Sequence, residues 1–326
     1  MRTDGFVGNA AAVALVGHYV DSGRMPHALL IEGPKGSGRR TLARLIARAA
    51  VCTGAGEKPC GECPNCRKAL AGVHPDISWT EGEGKSHTVS VKTVRALRED
   101  VFIRPNEAPR RVIGLIEAQD MNEAGQNALL KVLEEPPAHA LFLLTCENRS
   151  QLLETVRSRA VSVSLGGVSE EEALPLVLAA RPGIGEEEAR RALRLFGGVI
   201  GQAIGGLRDG DLTAVTDKTA AFARAITGTQ ELELARLTAT MDKDLWDGVL
   251  RGIQLAARDV AADKCGGAAA QSPSPEATAA LGGLTGRQAM ALIDTVTELM
   301  RCRRRYMNPT LFSVVAASRL RQAAGK

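Results

Sequence analysis

A glycine-rich run at residues 33–41, Gly-Pro-Lys-Gly-Ser-Gly-Arg-Arg-Thr, constrains the fold of this chain more than any other feature. It follows an apolar run at residues 28–31 and precedes a helix-like run at residues 42–50. A strand, a glycine-rich loop and a helix in this order form a P-loop, whose backbone N–H groups surround a phosphate. The sequence therefore predicts an α/β domain that carries this loop at the carboxyl edge of its sheet.

The loop departs from the P-loop consensus at the positions that carry the chemistry. The consensus reads Gly, four residues, Gly, Lys and then Ser or Thr. Here Arg39 and Arg40 replace the lysine and the hydroxyl residue. The candidate phosphate-loop residues are Gly33, Gly36, Gly38, Arg39, Arg40 and Thr41. The loop keeps the backbone donors of an anion site but loses the lysine ammonium and the magnesium-binding hydroxyl, so whether phosphate or nucleotide occupies it stays open.

Length and composition predict an ordinary globular protein of two or three domains. The chain has 326 residues, of which 44% are hydrophobic and 24% charged, and its formal net charge of +4 permits contact with nucleic acid without arguing for it. It lacks a run of about 18 apolar residues and a basic N-terminal segment followed by an apolar one. We therefore expect a cytoplasmic protein with reduced cysteines.

Four of the seven cysteines lie within one short segment, residues 52–66. They are Cys52, Cys60, Cys63 and Cys66. Short C-x-x-C steps allow thiolates to converge on one ion, and four thiolates satisfy tetrahedral zinc without an open position for water. The segment therefore predicts a structural zinc module, and the alternative is a set of unrelated buried or redox-active cysteines.

Apolar runs alternate with helix-like segments over the first 165 residues, which predicts a parallel, doubly wound sheet. Besides the strand before the loop, we expect strands at residues 88–91, 112–116, 141–144 and 160–165. The run at 112–116 ends in Glu117 and is followed by Ala118. In P-loop enzymes a strand beside the loop ends in an Asp that helps to hold magnesium. Alanine at position 118 cannot act as a base.

Several motifs together resemble a known family. Residues 126–137 read Gln-Asn-Ala-Leu-Leu-Lys-Val-Leu-Glu-Glu-Pro-Pro between two apolar runs, and a Ser158-Arg159 step follows the second run. With the cysteine segment and the His-Pro-Asp at residues 74–76, they resemble the bacterial AAA+ clamp-loader subunits related to gamma/tau and delta-prime. The resemblance is dense over residues 6–165 and thin beyond them.

Within that family, the chain resembles the delta-prime branch, because the P-loop and the Glu117-Ala118 motif are degraded together. The resemblance implies a subunit that does not hydrolyse ATP and binds it weakly or not at all. It also implies that Arg159, preceded by Ser158, reaches the ATP site of a neighbouring motor subunit as a trans-acting arginine finger. The alternative in the enzyme class is a gamma/tau-type motor in which Arg39 substitutes for lysine.

The resemblance further implies a helical lid at residues 166–208 and a helical collar for oligomerisation at 209–326. The composition of the chain itself predicts a low-complexity break inside 263–278. Its implied partners are gamma/tau and delta subunits, with the sliding clamp and primed DNA reached through the complex. The basic run at 301–305 is interpreted either as a DNA or acidic-partner contact or as a solvated helix side, and the scarcity of aromatic residues favours the second. A zinc-dependent nucleic-acid-binding module remains a further alternative.

Overall fold

The computed structural model describes residues 1–82, 89–208, 211–242, 245–267, 272–303 and 308–326. It divides into two compact units, Met1–Val168 and Ser169–Lys326. Within the described residues, every helix is too short or too polar to cross a membrane.

The first unit is built on a five-stranded parallel sheet in the order β2-β3-β4-β1-β5. Its strands are β1 (Ala28–Glu32), β2 (Ile77–Thr80), β3 (Arg111–Leu115), β4 (Ala140–Cys146) and β5 (Val161–Ser164). The interior strand β1 pairs with β4 on one side and with the edge strand β5 on the other. The predicted α/β fold with a parallel sheet is confirmed.

Among the described residues of the first unit, six α-helices accompany this sheet and cover both of its faces. They are α1 (Ala10–Asp21), α2 (Arg39–Val51), α3 (Pro64–Leu70), α4 (Val91–Val101), α5 (Glu123–Glu134) and α6 (Glu154–Arg157). Alternate strand residues point to opposite faces, so Leu30 and Phe142 pack with Leu129 of α5, whereas Leu29 packs with Ile46 of α2. The near-continuous apolar runs of the strands follow from burial on both faces.

The edge strand differs from the sequence prediction. The predicted strand at 88–91 is wrong over its described part, because Val89 forms an isolated bridge with Met121 and helix α4 begins at Val91; Thr88 lies outside the described residues. The strand at the β3 edge of the sheet is instead β2, which pairs with β3. Its Trp79 ring lies over Gly114, where a Cβ atom would come within 2.0 Å of the ring. The aromatic side chain therefore requires glycine at this point of β3.

A buried carboxylate anchors the segment between β2 and β3. Asp76 is fully buried and accepts three backbone hydrogen bonds, from Asn106 at 2.6 Å, Glu107 at 2.8 Å and Ala108 at 2.9 Å. Burial alone would raise the pKa of Asp76, but the three N–H donors outweigh it and hold the pKa below its usual range. The ionised carboxylate therefore stabilises the folded state.

The second unit is helical throughout its described residues. Its helices are α7 (Glu170–Ala180), α8 (Glu186–Leu195), α9 (Ile200–Arg208), α10 (Asp211–Thr227), α11 (Glu231–Ala239), α12 (Trp246–Lys264), α13 (Pro275–Leu281), α14 (Gly286–Arg303) and α15 (Pro309–Ala323). The helical character of the C-terminal part is confirmed. The division into a lid ending at residue 208 and a collar beginning at 209 stays a prediction.

The low-complexity break and the basic run lie partly outside the described residues. Residues 268–271 of the break are among those not described, whereas Ser272 donates its backbone N–H to Asp259 at 2.8 Å and Ser274 caps α13. In the basic run, Arg304 and Arg305 lie outside the described residues. Arg303 forms a two-pronged ion pair with Asp247 of α12, at 2.8 and 3.2 Å, which favours a structural role for this arginine.

We expect Asp76→Asn to lower the free energy of unfolding of the first unit by about 2 kcal/mol at pH 7, because three N–H donors lose a charged acceptor. The native pKa is lowered, so the stabilisation is complete above the unfolded pKa of about 4 and is lost as pH falls through the native pKa. Urea unfolding followed by Trp79 fluorescence, in a Trp246→Phe background, measures the difference between the two proteins at each pH.

Glu99→Gln removes an exposed carboxylate from α4 and serves as the control. If the wild type still had the same excess free energy of unfolding over Asp76→Asn at pH 2 as at pH 7, the role assigned to the Asp76 carboxylate would be contradicted.

Candidate functional site

The glycine-rich loop connects the carboxyl end of β1 to the N-terminus of α2. Gly36 and Gly38 have φ values of 84° and 93°, in the left-handed region that favours glycine. Gly33 approaches Leu165 so closely that a Cβ atom would lie 2.6 Å from its carbonyl oxygen. The glycines therefore still build the loop, with the amino end of α2 directed at it.

Arg39, at the position of the P-loop lysine, is bound to the chain's own acidic strand. Its side chain is 3% exposed, and Nη2 lies 2.9 Å from Oε1 of Glu117, the residue that follows β3 by two positions. Glu117 has a left-handed φ of 53°, and its backbone N–H donates to Thr145 Oγ1 at 3.0 Å. Gln119 donates to the other carboxylate oxygen at 2.8 Å. The positive charge of Arg39 and the negative charge of Glu117 therefore neutralise each other.

Arg40, at the hydroxyl position, also faces a carboxylate. It lies 3.1 Å from Glu81, and both side chains are nearly half exposed, so water screens this pair more strongly than the Arg39 pair. Ala118 is buried and offers no acid or base. Two donors near the loop, Ser37 Oγ and Arg39 Nη1, are buried without a hydrogen-bond partner among the described residues.

The four predicted metal ligands come together. The sulfur atoms of Cys52, Cys60, Cys63 and Cys66 all lie within 4.8 Å of one another. Cys60 and Cys66 are 3.9 Å apart, close to the roughly 3.8 Å edge of a tetrahedron with Zn–S bonds of about 2.3 Å. The donor set therefore fits a closed four-thiolate site.

Backbone hydrogen bonds prepare these thiols for metal binding. Cys60 N–H donates to Cys52 Sγ at 3.4 Å, Cys63 N–H to Cys60 Sγ at 3.3 Å, and Cys66 N–H to Cys63 Sγ at 3.4 Å. Burial raises the pKa of Cys63, but hydrogen bonds to its sulfur outweigh this and lower the pKa to about 5. The pKa of Cys60 is lowered mainly by the Cys63 N–H, whereas burial raises that of Cys66 to about 12. A bound cation is what would ionise the last thiol.

Two neighbours of the thiols are fixed by the cluster. A Cβ atom at Gly54 would lie 2.5 Å from Cys60 Sγ, so only glycine fits there. Asn65 donates through Nδ2 to the carbonyl oxygens of Val51 at 3.0 Å and Glu107 at 3.3 Å. The backbone N–H of Glu107 donates to the carboxylate of Asp76, which precedes β2. Hydrogen bonds therefore connect the thiol segment to the edge of the sheet.

Arg159 lies at the opposite edge of the sheet from the glycine-rich loop. It precedes β5, and it borders an open cleft of about 520 Å³ that is also lined by His27, which precedes β1. The loop follows the other end of β1, and five strand residues span about 15 Å. Arg159 is one third exposed and forms a 2.7 Å ion pair with Glu134. Arg159 and the glycine-rich loop of the same chain therefore lie at opposite ends of β1.

The sequence indicated the loop, the four thiols and Arg159 as candidate site residues, but it did not indicate the carboxylate partners of Arg39, Arg40 and Arg159. Glu117 was expected only as a degraded magnesium position, and Glu81 and Glu134 were not expected to take part. The pairing of Glu117 with Arg39 could have been predicted from the sequence. Glu117 follows a parallel strand and Arg39 follows the loop after β1, and the carboxyl ends of parallel strands lie at the same edge of a sheet. Glu134 carries no such signal, because its pairing depends on the turn between α6 and β5.

Comparison with known proteins places this geometry in context. Residues 8–169 match a protein-family model described as "DNA polymerase III, delta subunit". The delta-prime subunit of Yersinia pestis is 41% identical over 155 residues, which are 46% of this chain and 44% of that protein. The delta-prime subunit of Escherichia coli K12 is 34% identical over 58% of this chain and 57% of that protein. The gamma/tau subunit of Mycobacterium tuberculosis is 36% identical over 47% of this chain and 26% of its own length.

These matches span about half the length of the delta-prime relatives, 44% and 57%, and about a quarter of the length of gamma/tau. A solved structure of a DNA polymerase III gamma subunit-related protein from Thermotoga maritima aligns with 96% of this chain and 99% of its own. Its TM-score is 0.42 at 16% identity.

We expect Arg39→Met to lower the free energy of unfolding of the first unit by about 3 kcal/mol, because it leaves the Glu117 carboxylate without its cation in a largely buried site. The double variant Arg39→Met/Glu117→Met should recover most of that loss, since an apolar pair of similar volume replaces a buried ion pair at little cost. Urea unfolding followed by Trp79 fluorescence, again in a Trp246→Phe background, gives the coupling energy of the pair.

Arg40→Met is the matched control, and we expect it to cost less than about 1 kcal/mol because its ion pair is exposed. Additive effects of the Arg39 and Glu117 substitutions would show that the two side chains do not depend on each other.

Proposed function

We propose that this chain is a delta-prime-type subunit of a DNA polymerase III clamp loader, of the AAA+ class; the family-model match over residues 8–169 and the similarity to delta-prime subunits support this proposal. In that role it does not hydrolyse ATP itself. It supports ATP-dependent loading of the sliding clamp onto primed DNA within a complex of several subunits. Its direct partners are a gamma/tau motor subunit and a delta subunit.

The Arg39–Glu117 ion pair is the observation that carries this proposal. A working site needs a cationic side chain free to meet phosphate and an acid free to help hold magnesium. Here the two side chains at those positions hold each other at 2.9 Å, and Ala118 follows in place of a base. ATP binding would require breaking this pair in a largely buried site, so we infer that nucleotide binds weakly or not at all.

Arg159 supplies the catalytic contribution of the chain in this proposal. A planar guanidinium donates two parallel hydrogen bonds to phosphate oxygens and stabilises the charge of the transferring group. Because Arg159 lies at the sheet edge opposite the loop of its own chain, the ATP that it contacts belongs to a neighbouring subunit. Ser158 precedes it and donates to the Thr155 carbonyl at 3.1 Å, which orders the turn that presents the arginine.

The four-cysteine cluster is proposed to hold one structural zinc ion. The cation would be held by Cys52, Cys60, Cys63 and Cys66 as thiolates, with no position for water or substrate. The ion would cross-link the end of α2 to α3 and, through Asn65, to the sheet edge. Zinc therefore contributes to folding in this proposal and takes no part in catalysis.

Two other functions make different predictions. A gamma/tau-type motor is favoured by the intact glycine turn and by the unpartnered donors Ser37 Oγ and Arg39 Nη1, which could meet a phosphate. It requires magnesium-dependent ATP hydrolysis by the isolated chain. A zinc-dependent nucleic-acid-binding module requires tight DNA binding by the isolated chain that disappears when the cysteines are replaced.

We expect Cys60→Ser/Cys63→Ser to abolish zinc binding and to lower the stability of the first unit, because a structural zinc site contributes folding free energy directly. Elemental analysis should find about one zinc per wild-type chain and none in the variant. Cys265→Ser removes an exposed cysteine outside the cluster and should leave both quantities unchanged. Equal stability with and without the metal would contradict the structural role.

We expect the Arg159→Ala chain to assemble normally with motor and delta subunits. The ATP turnover of the complex should fall by the part of the total turnover that the ATP site next to Arg159 contributes. A trans-acting arginine is worth several orders of magnitude in rate at the site that it serves. Arg159→Lys should not restore turnover, because an ammonium cannot reproduce the planar fork. Arg67→Ala removes an exposed arginine of α3 and is the matched control.

Unchanged turnover in a normally assembled Arg159→Ala complex would refute the assignment of the arginine. Magnesium-dependent hydrolysis by the isolated chain, measured in the same assay, would instead support the motor alternative.

A further inference from the structure

The guanidinium of Arg159 is turned back onto its own chain. Nη1 donates to the Thr155 carbonyl oxygen at 2.9 Å and to Ser158 Oγ at 3.3 Å, and Nη2 lies 2.7 Å from Glu134 Oε1. Three contacts therefore hold an arginine that, in the proposed function, has to reach a phosphate on another subunit. Glu134 is the charged group among them.

The position of Glu134 suits it to this contact. It is the last residue of α5, where the negative end of the helix dipole adds to the carboxylate charge and attracts a cation. The adjacent Glu135 is also exposed but forms no ion pair with the described residues. The chain thus offers two neighbouring carboxylates, of which one contacts Arg159.

We propose that Glu134 is a positioning residue that holds Arg159 in a retracted position in the free subunit and releases it to the phosphates of a neighbour's ATP. This inference rests on the proposed trans-acting role of Arg159. In this inference, the Glu134 carboxylate and the phosphates of ATP on the adjoining subunit compete for the Arg159 guanidinium.

The strength of the pair suits a reversible contact. The side chains of Arg159 and Glu134 are 33% and 48% exposed, so water screens their attraction, and such pairs contribute only a small stabilisation. A nucleotide triphosphate offers several charged oxygens to the same guanidinium and binds it more strongly. The retracted position is therefore populated without nucleotide and abandoned when ATP occupies the neighbouring site.

Competition of this kind changes the ATP concentration that the complex needs. If only a fraction of the subunits present a released arginine, the apparent affinity of the adjoining site for ATP is reduced by that fraction. Glu134→Gln keeps the shape of the side chain but removes its charge. We expect it to lower the ATP concentration at half-maximal turnover by about two- to fivefold, with little change in the maximal rate.

The experiment measures steady-state ATP turnover of the reconstituted complex against ATP concentration, at low and high salt, with Glu134→Gln, Glu135→Gln, Arg159→Ala and the double variant Glu134→Gln/Arg159→Ala. Glu135→Gln should behave as the wild type. The effect of Glu134→Gln should shrink at high salt, because screening already weakens the ion pair. The double variant should match Arg159→Ala.

The outcomes separate this inference from the proposed function. If Arg159→Ala does not alter turnover, the trans-acting role itself fails. If Arg159→Ala reduces turnover while Glu134→Gln behaves as the wild type, only the retracted position is refuted. A Glu134→Gln complex as slow as Arg159→Ala, or a Glu134→Gln effect that persists in the double variant, also overturns the inference.

Discussion

Parallel hydrogen bonding of β1 between β4 and β5 is the constraint on which the candidate sites depend. It gives the first unit two unlike edges, with the carboxyl ends of the strands on one side and the amino ends on the other. The glycine-rich loop and the acid after β3 meet at the carboxyl edge, whereas Arg159 lies at the amino edge. In the proposed function, one chain therefore carries the two halves of an ATP site at opposite edges of a single sheet, and each half would face a different neighbouring subunit.

At the carboxyl edge, two departures from the P-loop consensus compensate one another: Arg39 at the lysine position and Glu117 after β3. An arginine alone at the lysine position would leave a buried charge, and an acid alone at the end of β3 would do the same. Together they form a neutral pair held further by Thr145 and Gln119. Glu117 has a left-handed backbone, and its carboxylate binds Arg39 of the same chain. The glycines of the loop are required by close contacts at Gly33 and Gly38 and by the positive φ of Gly36 and Gly38.

The sequence predicted what depends on local periodicity and spacing. The three interior strands, the edge strand β5 and the convergence of four thiols followed from apolar runs and short C-x-x-C steps. The edge strand β2 was missed, because its half-buried Ile-Ser-Trp-Thr lacks the continuous apolar character of a central strand. The partners of Arg39, Arg40 and Arg159 were missed for a different reason. Long charged side chains choose partners by proximity in three dimensions, and the turn that brings Glu134 to Arg159 has no periodic signature.

In the proposed function, the Arg39–Glu117 pair also sets how the chain responds to the cell's energy supply. A ligand shifts a conformational equilibrium only through a difference in its affinity for the two conformations. If the loop binds neither ATP nor ADP, as proposed, the ratio between the two nucleotides does not change the conformation of this domain. Among neighbouring subunits that change conformation with each nucleotide, such a domain would keep a single conformation.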